Sequence, residues 1–220
     1  MSVKRIIKDV TQLMKEPLIS EGIYYKHDEE NIYKGYALII GPKNTLYQYG
    51  FYMFKLDFPE NYPTKPPLVT YLTNNYKIRF HPNLYRNGKC CLSILNTWNG
   101  EQWSSCQSIS TILLSLVLLF NNTPLLNEPG ITKNHEDFQN YNKVIQYYNY
   151  LTAFYEVGTN KLNIETRDIF KDIITKDYDN NKMKVIEHIQ DLNINKQNIF
   201  IKIYSINAII DYDKLLQKLN

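Results

Sequence analysis

Between Gly22 and Leu72 the chain offers four strand-like segments, and the gaps between them are too short to hold crossover helices. No other feature restricts the fold as much. Ile32–Ile40 is an apolar run closed by Gly41-Pro42. In Phe51–Phe58, the residues Tyr52, Phe54, Leu56 and Phe58 recur at period two, the pattern of a half-buried strand. Leu68–Leu72 follows Pro66-Pro67, and Gly22–Tyr25 is a weaker strand ahead of them. Four such strands predict an antiparallel meander rather than a parallel sheet.

Helical spacing flanks the meander. Val3, Ile6, Ile7, Val10, Leu13 and Met14 predict an N-terminal helix stopped by Pro17, with Lys4, Arg5 and Lys8 on its polar side. Ser108–Phe120 is apolar on nearly every side and predicts a central buried helix. Phe138, Tyr141, Ile145, Tyr148, Leu151, Thr152 and Tyr155 mark a second long helix, with Asn134 as its cap. These patterns predict an α+β core over 1–157. Clusters at Ile169–Ile174, Val185–Ile189 and Leu215–Leu219 predict a mainly helical extension over 158–220.

Composition narrows the class. The chain has 220 residues, 44% of them hydrophobic, so it can bury a core. A net charge of +3 is too small to argue for nucleic acid, and three cysteines are too few for a secreted disulfide framework. The longest apolar run, Ile112–Phe120, is far below the ~20 residues of a membrane span. The expectation is a soluble cytoplasmic or nuclear protein. Its 19 Tyr and 25 Asn belong to residue types with A/T-rich codons, so clusters of either carry little functional weight.

From Asn74 to Ser105 the periodicity disappears, and long irregular stretches inside a domain tend to be functional. This one holds His81, Asn83 and the pair Cys90-Cys91. Adjacent cysteines cannot easily point at one metal, and no Cys-x-x-Cys pair exists. Two readings remain from spacing alone: small buried hydrophobes, or a nucleophile on an exposed loop.

The strings His81-Pro82-Asn83 and Asn87-Gly88-Lys89-Cys90-Cys91-Leu92-Ser93-Ile94-Leu95 resemble the active-site signature of ubiquitin-conjugating enzymes, with Cys91 eight residues beyond Asn83. The resemblance extends over roughly residues 3–155. It takes in Gly41-Pro42, the Phe58-Pro59-x-x-Tyr62-Pro63-x-x-Pro66-Pro67 run and Trp103. The stretch from Asn83 to Ser110, with Asn127-Glu128-Pro129-Gly130 after it, is most similar to the branch that includes the Z-type enzymes.

The resemblance implies the UBC fold and a chemistry. Cys91 accepts ubiquitin, or a ubiquitin-like modifier, as a thioester from an activating enzyme and passes it to a substrate lysine. Asn83 stabilises the oxyanion or the loop, and Glu128 orients or deprotonates the lysine. His81, Pro82, Tyr62, Pro63 and Trp103 are structural, and Lys4, Arg5 and Lys8 dock the activating enzyme. No bound cofactor is implied, since ATP is consumed upstream, and no metal. Thr64 and Ser104-Ser105-Cys106 depart from the residues many relatives present to ubiquitin ligases, which sets ligase recognition apart. The competing reading is a non-catalytic ubiquitin-binding or recruitment module of the same fold.

Overall fold

The period-two segments pair as neighbours. In a computed structural model, which describes residues 2–220, β1 (Ile23–His27), β2 (Lys34–Ile40), β3 (Phe51–Asp57) and β4 (Leu68–Tyr71) form one antiparallel sheet in chain order. The register sets Ile23 opposite Ile39, Ala37 opposite Phe54 and Leu56 opposite Val69. The bend after β2 requires glycine: a Cβ at Gly41 would stand 1.7 Å from the Tyr47 carbonyl oxygen. On one face of the sheet Tyr52 stacks on Phe120, ring centroids 4.3 Å apart, just beyond the central helix α2 (Ile109–Val117). That helix opens with a reciprocal Ser108–Thr111 capping box. It is less enclosed than its sequence implied, since Leu114 faces solvent, as does Leu118 just past it.

β3 is not half-buried. Phe51 and Met53, which point to the face opposite Tyr52 and Phe54, are also fully buried. Their cover comes from distant sequence. The helix α3 (Phe138–Tyr148) widens into π-helical turns over Asn149–Glu156, from which Phe154 stacks on Phe51. Tyr178, on α4 (Lys171–Leu192), stacks in turn on Phe154. The wide turns begin at buried Asn149, which accepts from the Tyr52 hydroxyl at 2.6 Å and donates to the Gln48 carbonyl at 2.9 Å. Asn134 does not cap α3. Asp137 immediately precedes it, with its carboxylate turned toward the backbone of 202 and 203.

The boundary expected near residue 157 falls at the end of this helix, and the core runs past it. Ile164, Phe170, Ile174, Val185, Ile189 and Leu215 join the same apolar cluster as the sheet. The extension is also more than helical. Between α4 and α5 (Tyr212–Leu219) lies a hairpin of β5 (Gln197–Ile201) and β6 (Ile206–Ile210). Ile199 and Ile201, then Ile206, Ala208 and Ile210, alternate inward along it. Alternations this short are ambiguous in sequence, and the expectation of a mainly helical extension named no strand there.

The first helix, α1 (Ser2–Lys15), corrects a second expectation. Val3, Ile7 and Met14 are exposed, and the buried line runs through Ser2, Ile6, Asp9 and Leu13. A buried carboxylate needs partners. Asp9 accepts from Arg5 Nε at 2.8 Å and from the Tyr62 hydroxyl at 2.5 Å. The remaining Arg5 nitrogens donate to the carbonyls of Ser105 (2.6 Å) and Gln107 (2.5 Å). Arg5 is therefore not part of a free basic face. It braces α1 against Tyr62 and the loop before α2, whereas Lys4 and Lys8 are exposed. Arg5→Ala should lower the unfolding free energy by about 3 kcal/mol, read by urea denaturation, because Asp9 stays buried without its counter-charge. A loss below about 1 kcal/mol would mark Arg5 as an ordinary surface cation.

Candidate active site

Residues 74–105 have one short 3-10 turn, Ser93–Leu95, and otherwise no regular element. They hold their shape through isolated backbone bridges and side chains. Leu84 bridges to both His81 and Cys90, and Lys89 bridges to Thr70 at the end of the sheet. Gly88, at φ 86°, makes the turn that allows this. Thr97 closes the far side, donating to the Cys90 carbonyl at 3.0 Å and accepting from Leu92 N at 2.9 Å.

Asn83 and Cys91 are joined twice. Cys91 N donates to the Asn83 carbonyl at 2.9 Å, and Asn83 Nδ2 donates to the Cys91 carbonyl at 2.6 Å. Asn83 Oδ1 accepts from Asn127 Nδ2 at 3.4 Å, which brings the Asn127-Glu128 loop to the same place. Cys91 is only 1% exposed. The exposed loop expected of a nucleophile is absent, because both flanks of the cysteine are folded back on themselves. Cys90 is as well covered and differs in kind: it packs within the apolar cluster, and burial drives its thiol far above the ordinary range, with neighbouring Cys91 adding to the shift. Cys90 stays a protonated hydrophobe.

His81 sits beneath the pair, fully buried. Its Nδ1 accepts from Asn83 N at 3.0 Å, so the proton of the neutral ring lies on Nε2, which has no partner among the described residues. Burial, with Arg79 adding like charge, lowers the His81 pKa to about 3. The ring is a neutral prop for the Asn83 backbone. Pro82 offers its carbonyl to Arg79. Trp103 Nε1 donates to the Pro63 carbonyl at 2.7 Å, and its ring leans on Tyr62, so these three residues form one buttress with Asp9 and Arg5. Thr64 and Ser104–Cys106 lie exposed beside that buttress.

Glu128 is partly exposed, and it is not alone. Its Oε2 accepts from the Tyr204 hydroxyl at 2.5 Å and lies 4.0 Å from Arg79 Nη2. The Arg79 guanidinium is sandwiched between the rings of Tyr85 (4.0 Å) and Tyr204 (4.5 Å). Sequence reasoning missed Arg79 and Tyr204. The first is one charge among many, and the second is one tyrosine of 19, between the clusters read as helices.

The family model for ubiquitin-conjugating enzymes matches residues 5–149. This chain belongs to the ubiquitin-conjugating enzyme family. It is 43% identical over 148 residues to ubiquitin-conjugating enzyme E2 Z of Xenopus tropicalis, covering 66% of this chain and 47% of that protein. Against human ubiquitin-conjugating enzyme E2 Z the identity is 43% over 146 residues, 65% of this chain and 41% of that one. A human dual E2 ubiquitin-conjugating enzyme/E3 ubiquitin-protein ligase is 41% identical over 123 residues, 52% of this chain and 2% of its own length. The chain thus spans less than half the length of these relatives. The family match covers the meander, the irregular segment, α2 and α3, and ends where the π-helical turns begin. No helix among the described residues is long and apolar enough to cross a membrane.

The neutral state of His81 carries a pH signature for this family member. Below about pH 6.5 the unfolded chain binds a proton that the folded chain does not take up until about pH 3, so stability falls as pH falls across that window. This group should remove about 2 kcal/mol between about pH 7 and about pH 5. His81→Asn, which keeps an acceptor for Asn83 N, should flatten that limb in urea unfolding. Identical pH slopes in the two proteins would contradict the assignment.

Proposed function

We propose that this chain is a ubiquitin-conjugating enzyme that accepts ubiquitin, or a ubiquitin-like modifier, as a thioester on Cys91 and transfers it to a substrate lysine. The observation that carries the reading is the double link between Asn83 and Cys91. It fixes which of two adjacent cysteines stands beside the amide, while Cys90 is held inert in the core.

The chemistry follows in two steps. The Cys91 thiolate attacks the thioester carbonyl of the charged activating enzyme and releases that enzyme's thiol. A lysine amine then attacks the Cys91 thioester, an oxyanion forms, and the Cys91 thiolate leaves. Asn83 Nδ2 carries two N–H bonds, and the Cys91 carbonyl takes one of them. The second is available to the oxyanion, so the same amide can hold the loop and stabilise developing charge. The incoming lysine must lose a proton at a pH well below its usual pKa near 10.4. Glu128 can orient it and accept that proton, since only its Oε2 is engaged. The covered Cys91 thiol is reached when the irregular segment opens, as segments with few ladder bonds do most readily. No bound cofactor takes part; ATP is spent in charging the activating enzyme.

For partners, Lys4 and Lys8 offer an exposed basic edge to an acidic face of the activating enzyme, with Arg5 excluded by its internal bonds. The polar surface at Thr64 and Ser104–Cys106 is where a ligase would bind. The 158–220 segment is a C-terminal unit packed on the catalytic core over 1–157.

Charging tests the function directly. With activating enzyme, ATP and ubiquitin, Cys91→Ser should give no thiol-sensitive adduct on a non-reducing gel, and Cys90→Ala should keep most of it. An adduct lost only in the Cys90 variant would reverse the assignment. Lys4→Glu with Lys8→Glu should slow charging at low salt and recover as the Debye length shortens to about 3 Å near 1 M.

Discharge of purified thioester to free lysine tests the transfer step. Asn83→Ala should slow it on the order of 100-fold, the scale of losing one oxyanion donor. Glu128→Gln should slow it near neutral pH, with a deficit that shrinks as the lysine deprotonates unaided at higher pH. Normal discharge in both variants would remove these two residues from the chemistry.

A further inference from the structure

The carboxylate proposed to handle the lysine is held by a residue outside the family match. Tyr204 stands in the turn joining β5 to β6, 76 positions from Glu128, and its hydroxyl donates to Glu128 Oε2 at 2.5 Å. Arg79 Nη2 approaches the same oxygen at 4.0 Å. Glu128 Oε1 makes no hydrogen bond among the described residues, and the side chain is 25% exposed. The carboxylate is clamped by one oxygen and open at the other.

Several separate contacts fix where that clamp sits. Asp137 accepts from Lys202 N at 3.2 Å and from Ile203 N at 2.9 Å, and Lys202 Nζ donates to Glu136 at 2.7 Å. Arg86 Nη2 donates to the Tyr204 carbonyl at 2.7 Å. The Tyr204 ring stands edge-on to buried Tyr141, whose hydroxyl donates to the Arg79 carbonyl at 2.7 Å. Burial, with Glu128 beside it, pushes the Tyr204 hydroxyl well above the ordinary tyrosine range, so it remains a donor. A hairpin needing only to pack has no use for a tyrosine hydroxyl aimed at a partly exposed carboxylate. A glutamate on a loop, in contrast, has rotamer freedom that a charge-assisted donor can remove in advance.

We infer that Tyr204 is a positioning residue for the transfer step: the C-terminal hairpin holds Glu128 by Oε2 so that Oε1 is presented to the incoming lysine. This rests on the role proposed above for Glu128. It makes the 158–220 segment a working part of the transfer site. Tyr204 touches no reacting atom and acts only through Glu128.

The test uses the full chain, loaded with ubiquitin and purified as the thioester, so that charging does not enter. Tyr204→Phe keeps the ring against Arg79 and Tyr141 and removes only the donor. Discharge to free lysine is measured over a range of lysine concentrations from about pH 7 to about pH 10, around the lysine pKa. At the lower end the limiting rate of Tyr204→Phe should fall about tenfold, the scale of one hydrogen bond to a charged group. The deficit should narrow toward the upper end, as for Glu128→Gln. The double variant should discharge no more slowly than Glu128→Gln alone, because Tyr204 has no effect once its partner is gone.

Wild-type rates in Tyr204→Phe, or a pH-independent loss that adds to that of Glu128→Gln, would overturn the inference. A lowered urea midpoint with an unchanged rate would do the same, marking Tyr204 as a tether of the hairpin. The two levels separate cleanly. If Glu128→Gln discharges normally, the role of Glu128 fails and takes Tyr204 with it; if only Tyr204→Phe does, the clamp alone is wrong.

Discussion

The irregular segment between β4 and α2 depends on the double hydrogen bond between Asn83 and Cys91. A segment of over thirty residues without a ladder must still satisfy its backbone donors and acceptors, and here one backbone bond and one side-chain bond join its two arms as a pair of strands would elsewhere. His81 supports the arrangement from below by accepting the Asn83 N–H, which it can do only as a neutral ring. Thr97 supports it from the side by bonding across Cys90 and Leu92. With both ends pinned, neighbouring cysteines differ in setting: Cys90 packs in the apolar cluster, and Cys91 is held through its backbone N–H and carbonyl by Asn83. The difference between an inert thiol and a candidate nucleophile is thus one of backbone register.

The same logic of shared supports extends outward. Arg5, Asp9, Tyr62, Pro63 and Trp103 lock the first helix to the β3–β4 loop and to the end of the irregular segment. Phe51, Phe154 and Tyr178 stack through three layers, so the sheet is covered on both faces and the C-terminal segment is bonded to the core by burial. The hairpin then reaches around to Glu128. This segment thus packs on the sheet at one end and bonds to Glu128 at the other.

What the sequence disclosed and what it hid divide along contact distance. The meander was readable from Tyr52, Phe54, Leu56 and the short gaps, because strand pairing between neighbours needs only local pattern. The pairing of Asn83 with Cys91 was legible from His81-Pro82-Asn83 and Cys91 because the residues lie within one segment and match a known signature. The inward turn of Arg5 and the burial of Phe51 were not readable, since each is decided by residues scores of positions away, and the covered thiol was not because folded-back flanks leave no periodic pattern. Arg5 sits on the polar side of its helix by count and is internal only because Asp9 and two distant carbonyls receive it. Tyr204 was hidden twice: by the abundance of tyrosine, and by a hairpin whose alternation of Ile199, Ile201 and Ile206 is too brief to be told from a helix face.

The central claim is that backbone register at Asn83 selects Cys91 as the acyl carrier, and the location of the modifier on the unaltered chain tests it most directly. The charged wild-type protein, prepared with activating enzyme, ATP and ubiquitin, is digested under acidic, non-reducing conditions, and the cross-linked peptide is sequenced by mass spectrometry. The account predicts the C-terminal residue of ubiquitin on the Cys91 sulfur, with Cys90 and exposed Cys106 unmodified. Ubiquitin on Cys90 or Cys106, or a charged form with no thioester at all, would contradict it.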